Sequence, residues 1–213
     1  MHSSLVDTRH NEDLRTTLQR RLDQFDSRKS CDKSLTPAAV VIAVSAHSAR
    51  DEACIYITVR SASLRKHAGQ LALPGGKVDA GETVPEAALR ELSEELGVHL
   101  KESHIMGQLD DFQTQSGFTI SPIVVWNDST EPMSINADEV ASVYEVPFSE
   151  LLSEQLASVD ETQTPPMFSI NPPTINHKVY SPTAAMVYQF REVLLLEKST
   201  RVSDYAQPTF AWR

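Results

Sequence analysis

The chain has 213 residues, 40% of them hydrophobic, enough to bury one sizeable core and too few to make two full domains the expectation. A formal net charge of −10 argues against nucleic acid or an anionic membrane as a partner, because such a surface repels phosphate unless a metal ion or a local basic cluster intervenes. The two cysteines, Cys31 and Cys54, have no metal-ligand spacing, and no apolar run approaches the roughly 18 to 20 residues that span a bilayer. A cytoplasmic protein is expected.

The pattern of Leu14, Leu18, Leu22 and Phe25 predicts an amphipathic N-terminal helix at about 8–26. The runs AAVVIAV at 38–44 and ACIYITV at 53–59, joined by a polar turn, predict a β-hairpin. Thr83 and Glu86 stand three apart like a capping box, and VPEAALRELSEEL runs to Gly97, which predicts a helix over 84–96. Strands are expected at 104–109, 118–126 and 139–146, and a short helix at 148–156. The proline-rich 157–178 stretch reads as a long loop, whose length admits a lid or a homodimer contact. A last helix is expected at 183–198, with Met186, Phe190, Val193 and Leu194 on one stripe, followed by a loose C-terminal tail. The whole is an α/β chain of one domain: a mixed sheet covered on both faces by helices, with a catalytic core at about 36–198.

Glu91, Glu94 and Glu95 stand at i, i+3 and i+4 of the 84–96 helix, so three carboxylates share a face. Taken alone, this equally fits a solvated acidic face with Arg90 as an intrahelical partner. The surrounding string decides between them. Gly76, Glu82, Arg90, Glu91, Leu92, Glu94, Glu95, Gly97 and Val98 match the pattern G-x5-E-x7-R-E-U-x-E-E-x-G-U at every specified position, U being a bulky aliphatic. At roughly one in sixteen per fixed residue, such a match by chance anywhere in the chain falls below about one in a million.

That string resembles the Nudix box, and the resemblance implies a Nudix fold and a metal-dependent pyrophosphohydrolase. Glu91, Glu94 and Glu95 match the family's metal-ligand positions, with backbone oxygen at Gly76 able to approach Mg²⁺ or Mn²⁺. Glu82 and Arg90, with Gly97 at the helix end, match positions that brace the loop against the helix. Glu91 and Glu139 are both candidates for the base that takes a proton from water, Glu139 also for an additional ligand.

Upstream, ITVRSASLRKHAGQLALPGG resembles the extra signature of the coenzyme A pyrophosphatase branch at Arg60, Ser61, Arg65, Gly69, Pro74, Gly75 and Gly76, departing at Ile57 and Leu73. Ser116, Gly117, Phe118 and Pro122, then Asn136, Asp138, Glu139, Val140 and Pro147, also look like this branch. Arg60, Arg65, Lys66, His67 and Lys77 form the densest basic cluster of an acidic chain, suited to a third phosphate such as the 3′-phosphate of coenzyme A. Where the branch has an aromatic-Gly-x-Thr-Ala segment, this chain has Tyr180, Ser181, Pro182, Thr183 and Ala184, without the glycine. The expected reaction is hydrolysis of coenzyme A or its derivatives to 3′,5′-ADP and (acyl-)4′-phosphopantetheine. The alternatives are a pyrophosphatase for ADP-ribose, NADH or a nucleoside triphosphate, and a non-catalytic nucleotide sensor.

Overall fold

The structure is a computed structural model that describes residues 6–63, 68–162 and 166–202. Helix α1 (Glu12–Asp23) starts where the Asn11 side chain accepts from the Leu14 backbone N–H at 2.8 Å. It is shorter than the predicted 8–26 because the chain ahead of that cap is used elsewhere: Thr8 accepts from the backbone of Ala53, and His10 stacks on Trp126 with ring centroids 4.0 Å apart.

Strands β1 (Thr36–Ala46) and β2 (Ala53–Arg60) form the predicted hairpin, followed by short β3 (Leu71–Ala72) and β4 (Gly75–Lys77). Helix α2 (Val84–Leu96) keeps the predicted ends, with a reciprocal Thr83–Glu86 capping box at its start and Gly97 in the left-handed region (φ 66°) at its end. A single 3-10 turn, Glu102–His104, leads into β5 (Ile105–Gln108), β6 (Phe112–Gln113), β7 (Phe118–Asn127) and β8 (Val140–Pro147).

The main sheet runs β3-β2-β1-β7-β5, with β4 on β1, β6 on β7 and β8 on β2. Only β1 and β7 pair in parallel, over ten residues, so the sheet is mixed. Its central strands are buried on both faces, which is why AAVVIAV reads as a continuous apolar run. Ile42, Val44, Ile55, Ile57, Val124 and Trp126 face one core with Leu14, Leu18 and Leu22 of α1; Ala39, Val41, Ala43, Cys54, Ile123 and Val125 face the other with Ala87, Ala88, Leu92 and Leu96 of α2. Helices therefore cover both faces, as expected. Small residues on β1 and on α2 let that helix lie close to the sheet, and Leu92 is fully buried between them. Truncating it to Ala removes about 2–5 kcal/mol of stability.

Beyond β8 the expectations change. The 148–156 helix is only the turn α3 (Phe148–Leu151). The predicted loop contains strands: β9 (Ala157–Asp160) pairs with β10 (Met167–Ile170), which pairs with β11 (Val179–Tyr180) in a separate three-stranded sheet. Glu150 of α3 ties this segment down by accepting from the Thr174 N–H and hydroxyl at 2.8 and 2.7 Å.

Helix α4 (Thr183–Phe190) is buried almost all round rather than on one stripe, and it widens into a π turn at Arg191–Leu195 instead of running to 198. Of the predicted loose tail, Arg201 is docked on buried Asp110 at 2.6 Å and Gln189 donates to the Thr200 carbonyl at 3.1 Å; 203–213 lie outside the described residues. No described helix is long and apolar enough to cross a membrane.

Candidate active site

The N-terminal half of β1 pairs with β4 in the register Ala39↔Gly76 and Val40↔Gly75, which lays the Gly-Gly turn beside α2. Gly76 leaves room for the Glu91 carboxylate: a Cβ at that position would lie 2.6 Å from Cδ of Glu91, so a larger residue would push that side chain aside. At the other end of α2, the 134–139 loop closes over the helix terminus. Ser134 and Asn136 donate their backbone N–H groups to the carbonyls of Leu96 and Glu95, both at 2.9 Å, which satisfies two of the terminal acceptors. Gly97 is required for that approach, since a Cβ on it would lie 2.7 Å from the Ser134 Cβ.

The same loop delivers Glu139. Its carbonyl accepts from Ser61 at 2.8 Å, its N–H donates to the Asn136 carbonyl at 3.1 Å, and its carboxylate accepts from Asn136 Nδ2 at 3.4 Å. Glu91, Glu95 and Glu139 thereby place carboxylate oxygens within 4.8 Å of one another. Each fully charged pair at that spacing costs on the order of 3 kcal/mol at an effective dielectric of about 20, so the group needs protons or a cation.

Glu95 is the deepest member. Burial pushes its carboxyl up to about 8 against the pull of Arg60, whose guanidinium lies 3.8 Å away, and of a backbone hydrogen bond from Gly75. One of its oxygens, Oε2, is buried without a hydrogen-bond partner among the described residues. Burial also raises Glu91, opposed by its hydrogen bond to Arg90. A largely buried, mutually repelling, all-oxygen donor set with an orphaned acceptor fits a hard divalent cation.

Arg90 holds the other side of the site. Its Nε and Nη2 donate to the two oxygens of Glu82 at 2.9 and 3.1 Å, Nη2 also donates to the Lys77 carbonyl at 3.0 Å, and Nη1 donates to both Glu91 and Glu94 at 2.9 Å. The hydrogen bonds to Glu82, then those to Glu91 and Glu94, raise Arg90 further above its ordinary value. Arg90 also holds Glu82 below the usual carboxylate range. Glu94 is half exposed and lies outside the three-carboxylate cluster, on the far side of Nη1.

A cleft of about 670 Å³ opens beside Arg60 and Gly75. Leu71, Phe118, Tyr144 and Met186 give it apolar walls, and His177, Lys178 and Tyr180 to Thr183 also line it. Of the predicted basic cluster, Arg60 lines the cleft and Lys77 sits at the rim, Nζ 5.9 Å from the ring centroid of Phe118. Arg65, Lys66 and His67 lie outside the described residues. Sequence reasoning placed neither His177 and Lys178 in the cleft nor Arg60 beside Glu95; the only signal was the altered Tyr180–Ala184 segment.

Known proteins resemble this chain in sequence and in fold. The family model described as the NUDIX domain matches residues 35–167. A protein of Yersinia pestis (strain Pestoides F) called uncharacterized Nudix hydrolase NudL is 37% identical over 145 residues, covering 67% of this chain and 67% of its own length, and its counterpart in Yersinia pseudotuberculosis serotype O:1b (strain IP 31758) matches to the same extent. The crystal structure of a MutT/nudix family protein from Enterococcus faecalis, 16% identical, has a TM-score of 0.53 over 79% of this chain and 63% of that one, a likeness of fold. The matched family segment holds every box residue, the Gly-Gly turn and Glu139, and the chain belongs to the Nudix hydrolase family.

Proposed function

We propose that this protein hydrolyses the pyrophosphate bond of coenzyme A or its derivatives, releasing 3′,5′-ADP and (acyl-)4′-phosphopantetheine. The observation that carries this reading is the position of the cleft: it begins at Arg60 and Gly75, beside the carboxylate cluster, and extends away between apolar and polar walls. Its volume is within the range of about 300–1,000 Å³ that encloses a complete small-molecule ligand. The coenzyme A signature falls on the same place, since Arg60, Gly69 and Gly75 all line the cleft.

Nudix hydrolases use divalent ions such as Mg²⁺ or Mn²⁺. In this chain Glu91 and Glu95 would hold the ion, with the Gly76 backbone oxygen and Glu94 as further donors, and Glu139 stands beside them. When bound, the cation neutralises phosphate oxygens and makes water a better nucleophile. The protein's own groups supply the rest. Arg60 steadies charge on the phosphate that leaves, being the guanidinium nearest the cluster within the cleft.

Of the two candidate bases, Glu139 is the better suited. Glu91 is pinned by Arg90 at 2.9 Å, whereas the Glu139 carboxylate has only the 3.4 Å contact from Asn136. Glu139 accepts the proton of the attacking water as the phosphorus–oxygen bond of the bridge breaks. Glu82 and Arg90 act at one remove, fixing the Gly-Gly turn and Glu91 in place. The unpaired Cys31 and Cys54 suit the reducing cytoplasm in which we place the protein. Rates with coenzyme A, ADP-ribose, NADH and a nucleoside triphosphate test the reading; faster turnover of any of the last three removes the coenzyme A assignment.

A further inference from the structure

We propose that His177, Lys178 and Ser181, all in the lining of the cleft, form a phosphomonoester subsite, which receives a phosphate of the substrate other than the two being separated. The charge of the lining points there. In a chain with a net charge of −10, no Asp or Glu is among the described residues that line the cleft, whereas Arg60, His177 and Lys178 all do. His177 and Lys178 are exposed and make no hydrogen bond or ion pair with any described residue, so their donors are free for a ligand.

Ser181 gives the independent observation. It lines the cleft, its residue is only 1% exposed, and its Oγ has no hydrogen-bond partner. A buried hydroxyl without a partner carries a desolvation cost, which an anionic acceptor in the cleft would remove once the Ser181 side chain turns towards it. An imidazole, an ammonium and a hydroxyl together offer donors to the several oxygens of a phosphate, which a neutral ligand would leave unused.

The wall is also held in place. Tyr180 and Val179 pair with Ser169 and Ile170 of β10, and the Thr183 hydroxyl donates to the Leu71 carbonyl of β3 at 3.3 Å, both residues lining the cleft. Little ordering is then required when a ligand arrives. The subsite rests on the coenzyme A reading, in which the group it receives is the 3′-phosphate, and it places part of that recognition near the C-terminus rather than wholly in the Arg65–His67 cluster.

The test is the ratio of kcat/KM for coenzyme A to that for 3′-dephospho-coenzyme A, measured with Mg²⁺ on the full chain, the double variant H177A/K178A and Ser181→Ala. The expected result is a wild-type ratio well above one that falls about tenfold or more in the double variant, and by a smaller factor in Ser181→Ala. A high wild-type ratio that persists in both variants overturns the subsite and leaves the substrate reading intact. A wild-type ratio near one overturns the substrate reading, and the subsite with it.

Discussion

Gly76 and the Glu91 carboxylate occupy adjoining space so closely that a methyl group on residue 76 would overlap the carboxylate. The Nudix-box glycine is therefore a steric requirement of the glutamate fifteen residues later, set by the register of β4 on β1. Gly76→Ala should displace Glu91 and leave the fold intact. We expect kcat/KM to fall about 100-fold with an unchanged far-UV circular dichroism spectrum. Activity within twofold of wild type would show that Glu91 is not held by this contact.

Arg90 joins four groups on β4, α2 and the loop between them, so its removal should affect stability as well as turnover. Its side chain is 29% exposed, which screens part of each charge-assisted bond. Arg90→Ala should cost about 1–2 kcal/mol in urea unfolding. Arg90→Lys should recover little of it, because an ammonium cannot span both oxygens of Glu82 and also reach Glu91.

Glu95 makes the metal-free protein sensitive to pH. Its folded carboxyl is pushed up to about 8 from an ordinary 4.5, so between those values the folded state keeps a proton that the unfolded state has released. Stability from this group is greatest below about 4.5 and is lost as pH rises towards 8. Thermal melts with chelator present should show Tm of the wild type falling relative to Glu95→Gln across that window. Divalent cation should raise the wild-type Tm more at pH 8 than at pH 5, since binding releases the proton. Parallel pH profiles for the two proteins would contradict the assignment.

The carboxylates inside and outside the cluster should also separate kinetically. Glu139→Gln should lower kcat by about 10²-fold or more, the usual loss of a general base. Glu94→Gln, which alters a half-exposed partner of Arg90, should give a smaller but measurable loss. An equal or greater loss for Glu94 would move the base or the principal ligand to that position.

How much of this was legible in the sequence depended on where each signal resides. Helix α2 is read to the residue because its start and end are local: Thr83 and Glu86 cap one end and Gly97 the other. The doubly buried strands were legible from continuous apolar runs. β9 and β10 were not, because they are four residues each, β10 lies between two pairs of prolines, and the two are stabilised mainly by pairing with one another. Glu91, Glu95 and Glu139 were all named from the sequence, but which of the glutamates converge depends on the 134–139 loop folding over the end of α2. The cleft combines β2, β7 and residues 177–186, a juxtaposition made by tertiary packing that no local pattern records.

The most direct test is mass-spectrometric analysis of the products formed from coenzyme A with Mg²⁺ or Mn²⁺, alongside 3′-dephospho-coenzyme A, ADP-ribose and NADH. The account predicts 3′,5′-ADP and 4′-phosphopantetheine from coenzyme A as the fastest reaction, abolished by chelator. Faster cleavage of another substrate, or no cleavage of coenzyme A at all, would contradict it.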